Sequence, residues 1–207
     1  MDRPPSPTTL QWNSRFSAAG YAYGTQPNDY LAQRAPQLAP ASRVLSLGEG
    51  EGRNAVFLAA LGHRVTAVDA SEVGRDKALR LAAERGVALD YVVSDLADYA
   101  LAPDAWDAVV AIFCHLPPPL RARVHRAAAA GLRKGGLLVL EAYRPAQLAF
   151  KTGGPPVAEL LYTPELLRED FAGLELERLE EVERDVVEGR LHTGRAAVVQ
   201  LLARRVS

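Results

Sequence analysis

Three alternate glycines and three carboxylates in the stretch VLSLGEGEGRNAVFLAALGHRVTAVDAS, Val44 to Ser71, follow the pattern of a ligand-holding turn. Gly48, Gly50 and Gly52 alternate with Glu49 and Glu51 where one apolar run ends, and Asp69 ends the next. A backbone without side chains can pass close to a ligand and turn sharply into a helix. A carboxylate roughly 20 positions beyond the first glycine is placed to accept from the paired hydroxyls of a ribose, and Asp69 stands at that distance. A dinucleotide fingerprint spaces its glycines G-x-G-x-x-G, whereas this turn reads G-x-G-x-G. A pyrophosphate here would also face Glu49 and Glu51, and like charges at close range repel even when partly screened. The turn suits a nucleoside that carries positive charge.

The surrounding pattern supplies the frame for such a turn. RVLSL, HRVTAVD, VALDYVV, AWDAVVAI and LLVLEAY read as strands one to five. Between them lie the helical stretches RNAVFLAALG, EVGRDKALRLAAERG and PPLRARVHRAAAAGLRKGG. Pro27 and Asn28 start an earlier helix that runs to about Leu38, and Thr163-Pro164 start a short late one. GLELERLEEVERDVVEGRLHTGRAAVVQLLARR alternates apolar and polar residues, which predicts two long strands joined near EGRLHTG. The expected fold is α/β: a Rossmann-like, doubly wound, mostly parallel sheet of about seven strands, with helices on both faces and an antiparallel C-terminal hairpin. Residues 1–40 read as tail, aromatic lid segment and first helix, and 41–207 as one ligand-binding domain. In such a sheet, ligands bind beyond the carboxyl ends of the strands, where the strand order reverses.

S-adenosylmethionine has no phosphate and bears a sulfonium and an ammonium group, so the acidic turn favours this methyl donor. A nicotinamide dinucleotide, with an oxidoreductase activity, is the competing occupant, and a non-catalytic donor-binding module is a further alternative. VLSLGEGEGRNAVFLA and VTAVDAS resemble motifs I and II of the class I S-adenosylmethionine-dependent methyltransferases. WNSRFSAAGYAYGTQPNDYL, GEGRN, SDLADY, LRKGGLLVLEAY and EGRLHTGRAAVVQLLARR resemble the tellurite-resistance branch, related to thiopurine and chalcogen methyltransferases. The resemblance implies methyl transfer to a small acceptor of the kind of a thiol or an oxyanion such as selenite or tellurite. It places the donor's methionine part at Gly48, Glu49, Gly50, Gly52 and Asn54, and its ribose at Asp69, with Ala70 and Ser71 beside it. Asp95 and Leu96 are implied at the adenine, Ile112 and Phe113 over it or at the transferring methyl, and Tyr21 and Tyr23 closing over the donor. Two residues depart from the family pattern: Ser46 replaces an Asp, and Glu49 replaces a Cys. Glu49 is expected to restore the charge lost at Ser46.

An oxyanion acceptor would need positive groups, for which Arg144, Lys151, His192 and Arg195 are the candidates. A hydroxyl or amine acceptor would need a base, with His115, Tyr143 and His192 as candidates. KTGGPPVAELLYT reads as a mobile loop beside that pocket. Cys114 reads as a small buried apolar residue, His63 and His125 as surface residues, and Glu51 as a solvated charge favourable at a helix start. Trp12 and Phe16 pack the N-terminal segment on the sheet, and Glu175 to Arg184 form the exposed face of a strand. No metal ligands are assigned.

Composition narrows the partners. The 207 residues carry a net charge of -1, with 48% hydrophobic side chains and one cysteine. Such a chain builds a full core, has no disulfide framework and exerts no overall pull on nucleic acid or anionic membranes. The opening MDRPPSPTTL lacks an apolar stretch and reads as a mobile tail, and a cytoplasmic location is expected.

Overall fold

The computed structural model describes residues 4–206. Seven strands form one sheet in the order β3-β2-β1-β4-β5-β7-β6. They span Arg43–Leu47 (β1), Arg64–Asp69 (β2), Asp90–Val93 (β3), Trp106–Ile112 (β4), Leu132–Tyr143 (β5), Glu175–Glu188 (β6) and His192–Arg204 (β7). The first five run parallel, while β7 pairs antiparallel with both β5 and β6. The helices are Pro7–Phe16 (α1), Asp29–Arg34 (α2), Arg53–Ala60 (α3), Glu72–Glu84 (α4), Pro118–Gly131 (α5) and Pro164–Asp170 (α6). The order reverses between β1 and β4, so the cleft opens beyond their carboxyl ends.

Alternate residues of the central strands feed two cores. Leu45, Leu47, Val109, Leu138 and Leu140 pack under α5 and α6. Val44, Val65, Ala67, Val110 and Val139 pack under α2 and α3. The strands are apolar on both faces because helices cover both.

Several expectations shift. Residues 7–10 belong to α1 rather than to a tail, because Ser6 caps the Thr9 amide and Pro7 presets the first turn. Residues 1–3 of that tail lie outside the described residues. Helix α5 stops at Gly131 instead of continuing to Gly136. An added Cβ at Gly131 would lie 3.3 Å from the Trp106 ring, and Leu132 pairs in the sheet with Trp106, so β5 starts early. His63 is largely buried, and its burial pushes its imidazole pKa down. His125 is also buried: its Nδ1 lies 2.8 Å from Asp170 Oδ2, which accepts from Arg121 Nε at 2.7 Å. That triad ties α5 to α6. Among the described residues, no helix is long and apolar enough to cross a membrane.

Candidate active site

The glycine turn is built within one strand–turn–helix–strand unit. After β1 the chain turns through Gly48, Gly50 and Gly52, all with positive φ. Gly52 must lack a side chain, since a Cβ there would lie 2.5 Å from the Ala78 Cβ on α4. The Gly50 amide donates to Asp69 Oδ2 at 2.9 Å, and the Ser71 amide donates to Asp69 Oδ1 at 2.9 Å. Burial pushes the Asp69 carboxyl up to about 6 against those donors, and Asp95 adds to the rise. Asp69 thus stands at the end of β2 with the turn strapped to it. Ser71 caps α4 through the Gly74 amide at 2.9 Å, and Ala70 lies buried between Asp69 and that cap.

Glu49 and Ser46 form a pair. Glu49 Oε1 accepts from the amides of Asn54 at 3.0 Å and Ala55 at 2.9 Å, and Oε2 accepts from the Ser46 hydroxyl. The carboxylate therefore caps α3, whose own cap position is a glycine. Burial raises its pKa, and the Ser46 hydroxyl, the two amides and Arg53 oppose that rise. The two departures from the family pattern are one hydrogen-bonded unit. Glu51 is not solvated: it is buried, accepts from the Ala22 amide at 2.6 Å and pairs with Lys77 at 2.8 Å. Lys77 also donates to the carbonyls of Ala18 and Gly20, so Glu51 anchors the aromatic N-terminal segment.

Helix α1 crosses the positions that the resemblance implies for the donor. The Ser6 hydroxyl donates to Asp95 Oδ2 at 3.0 Å, and Asn13 Oδ1 accepts from Ser71 Oγ at 2.7 Å. The Phe16 ring lies against Gly50 and Gly74. Tyr23 extends this cover, with its ring 6.2 Å from Phe16 and 4.4 Å from His192. Tyr21 does not join it, because its hydroxyl donates to the Lys77 carbonyl and its ring sits by the ammonium of Lys77. Leu96 and Ile112 turn their side chains into the two cores.

The aromatic side of the cleft begins at Phe113, which follows β4 with φ at 52°. A bulky side chain in the left-handed region costs on the order of 1–3 kcal/mol. Its ring is 4.5 Å from Tyr143 and 4.9 Å from His192. Tyr23, Phe113, Tyr143 and His192 therefore pack into one aromatic cluster, drawn from four distant segments. Burial raises the Tyr143 hydroxyl well above its ordinary range. His192 is 8% exposed, and its buried Nδ1 makes no hydrogen bond among the described residues and lies 3.8 Å from Glu188 Oε2. Gly153 and Gly154 lie over His192 and Tyr143, and Gln147 holds this loop by donating to Thr152 Oγ1 and the Gly153 carbonyl.

Other candidates are placed elsewhere. His115 has no nitrogen left for a substrate: Nδ1 is 2.7 Å from the Leu160 carbonyl, and Nε2 accepts from the Tyr143 amide at 3.2 Å. Burial also drives its pKa down to about 4, so it serves as a neutral clamp rather than a base. Arg144 pairs with Glu181 and Glu183, and Arg195 with Glu183. Lys151 is exposed in the loop after β5, where with Leu148, Gly154 and Pro155 it lines a cavity of 460 Å³. Cys114 packs on the core beside Gly48, and burial raises its thiol to about 12.

A buried polar network, which the sequence does not announce, ties the two sides together. Glu141 is fully buried on β5 and accepts from Arg184, Gln200 and Asn28. Asn28 also donates to Glu188, and its amide donates to Asn54 after the glycine turn. Arg53 Nη2 donates to Glu188 at 2.6 Å, while Nη1 is buried with no partner. Burial favours a neutral Glu188, but His192, Arg53 and Arg184 hold its pKa down at about 2. A Glu at the end of a predicted strand and an Arg after three glycines carried no motif of their own.

Residues 44–136 match the family model of a methyltransferase domain. A ubiquinone biosynthesis O-methyltransferase of Xanthomonas campestris is 34% identical over 139 residues, which is 64% of this chain. The chain spans only 56% of that relative's length. Among solved structures, one described for conversion of a disulfide bond into a thioacetal group during echinomycin biosynthesis superposes with a TM-score of 0.74 at 19% identity, covering 95% of this chain and 92% of its own. TehB from Haemophilus influenzae superposes at 0.71 and 16%, covering 96% and 67%. A SAM-dependent methyltransferase from Methanosarcina mazei superposes at 0.65 and 16%, covering 87% and 99%. These likenesses show the fold. Over residues 44–136 the chain is similar to methyltransferase domains, and S-adenosylmethionine is the cofactor that this similarity supports.

Proposed function

We propose that the protein transfers the methyl group of S-adenosylmethionine to a small-molecule acceptor held beside Phe113, Tyr143 and His192. One observation carries this reading: the acidic turn strapped to Asp69 and the aromatic cluster share the carboxyl edge of one sheet. The sulfonium is already electrophilic, so the protein has to align the acceptor in line with the methyl–sulfur bond and keep water out. In this reading Asp69 takes the ribose hydroxyls and Asp95 the adenine amino group. Gly48, Gly50 and Glu49 line the methionine part, and Tyr23 covers the sulfonium. The Glu49–Ser46 pair keeps negative charge under the donor's cationic end while it caps α3.

A chalcogen oxyanion such as tellurite is the second reading, and the buried, unpartnered Nη1 of Arg53 speaks for it. Against it, Arg144 and Arg195 are engaged by glutamates. The relative named for O-methylation makes oxygen the first acceptor to try. The test is calorimetry with S-adenosylmethionine, NAD and NADP, followed by release of S-adenosylhomocysteine across phenols, thiols, selenite and tellurite. The reading expects the adenosyl donor to bind and at least one acceptor to be methylated. Binding of a dinucleotide instead would sink it.

A further inference from the structure

We propose that Glu188 and His192 form a proton-accepting pair, and that the acceptor is a neutral, weakly acidic hydroxyl carried on an apolar ring. The proposal rests on the methyl-transfer reading above. His192 keeps a buried ring nitrogen without a hydrogen bond, whereas the His115 nitrogens are held by main chain and the Cys114 thiol is buried against the core. Around His192 lie the rings of Tyr23, Phe113 and Tyr143, which favour a ring over a hydrated ion.

Glu188 sits behind His192, 3.8 Å from Nδ1, close enough to become a hydrogen bond with a small ring movement. Its carboxylate is fixed by Arg53 at 2.6 Å, Asn28 at 2.9 Å and Arg184 at 3.3 Å. A proton on Nδ1 directed at Glu188 leaves Nε2 as the lone-pair nitrogen that can face a substrate. Charged and titratable groups meet His192 from every side: Arg15 from α1, Tyr23 from the N-terminal segment, Arg53 from α3, Tyr143 from β5 and Glu188 from β6. Burial holds the imidazole neutral, with Glu188 pulling the other way.

The step balances as follows. A lone pair on the acceptor oxygen forms the carbon–oxygen bond, the carbon–sulfur bond breaks, and its electron pair stays on sulfur as neutral S-adenosylhomocysteine. The hydroxyl proton passes to Nε2, giving an imidazolium beside Glu188, and it leaves to water once the product departs. His192 is the catalytic residue of this step and Glu188 its positioning residue.

The test compares phenol with 4-nitrophenol in the wild-type protein, His192→Asn and Glu188→Gln, at about pH 8, where the nitrophenol ionises without help. S-adenosylhomocysteine release is the rate, and calorimetric donor binding is the check on folding. His192→Asn is expected to lose about 100-fold or more on phenol and only a few-fold on nitrophenol. Glu188→Gln should lose about 10-fold on phenol and move the ascending limb of the pH profile to lower pH, since the imidazolium loses its counter-charge. If a variant does not fold, the wild-type series decides. Without a base, rates would follow the phenolate fraction, roughly tenfold per unit of phenol acidity, whereas base catalysis makes the slope shallower. Equal losses along the series, or methylation of thiols and selenite with phenols untouched, overturns the proposal and leaves methyl transfer standing. Failure of the wild-type protein to bind the donor removes both.

Discussion

In the glycine turn the contacts Gly50 to Asp69, Ser46 to Glu49, and Glu49 to Asn54 and Ala55 fall within one βαβ unit, with Asn13 and Ala22 adding bonds to Ser71 and Glu51 from outside it. On the acceptor side the partners come from opposite ends of the chain, with Asn28 bonded to both Glu141 and Glu188 and Arg53 bonded to Glu188. Local contacts form a site whose geometry is inherited from the fold, so that cofactor binding survives changes elsewhere. Non-local contacts form a site that exists only when the N-terminal segment, the turn and the hairpin are docked together. The first arrangement suits a ligand common to a whole class, and the second suits an acceptor particular to one member.

Breaking the acceptor side at its centre has the largest expected effect. Glu141 is fully buried and holds Arg184, Gln200 and Asn28. Glu141→Ala removes the buried carboxylate shared by Arg184, Gln200 and Asn28 and leaves Arg184 only the longer carboxylate contacts to Glu188 at 3.3 Å and Asp29 at 3.2 Å, which costs about 3–5 kcal/mol. Chemical denaturation should report that loss, while donor affinity measured well below the unfolding transition stays within a few-fold. Loss of donor binding at that point would mean the two sides are one unit. The matching lesion on the donor side is Gly52→Ala. Its Cβ would meet Ala78 while its φ of 92° strains any side chain, together about 2–4 kcal/mol. Here donor affinity should fall with stability, because the turn itself must shift.

The same contrast explains what could be read from the chain. The strand order, the two cores and the turn follow from apolar runs and from three glycines placed before Arg53, all local signals. Glu49 and Ser46 were visible as departures, but not that they pair, since that depends on the turn folding back by three residues. Asn28 reads as a helix cap, and it is one: its Oδ1 accepts from the Leu31 amide. That its Nδ2 reaches Glu141 and Glu188 has no local signature. His125 and His63 resemble surface residues in sequence because neither periodicity nor spacing reveals that α6 closes over α5 or that a turn buries an imidazole.

Asp69 gives an effect of about 2–3 kcal/mol whose sign divides the two functions of its carboxylate. Its pKa is raised from 3.8 to about 6, so the donor-free protein gains stability as pH falls through 6 toward 4 and loses it as pH rises. Binding a cationic donor through ribose hydroxyls requires the ionised form, so affinity should fall over the same window. Thermal melts with and without S-adenosylmethionine between about pH 4 and 8 should therefore converge at acid pH. Asp69→Asn should remove this share of the pH dependence from both. A donor affinity that held steady through pH 6 in the wild-type protein would separate Asp69 from the ribose.

The smallest change should fall on the acceptor alone. Gly154 has φ of 84°, and a Cβ there would lie 2.6 Å from Tyr143 Cδ2. The loop carrying it is held mainly by Gln147, itself 1% exposed, through Thr152 and the Gly153 carbonyl. An exposed loop can swing away from such a clash, so Gly154→Ala should cost less than about 1 kcal/mol in stability. The displaced loop would nonetheless uncover Tyr143 and His192 and admit water at the transferring methyl. The expected outcome is an acceptor KM raised several-fold and more donor hydrolysis per turnover, with donor affinity unchanged. A variant that bound the donor more weakly, with acceptor KM intact, would place this loop over the donor and move the boundary between the two sides to β5.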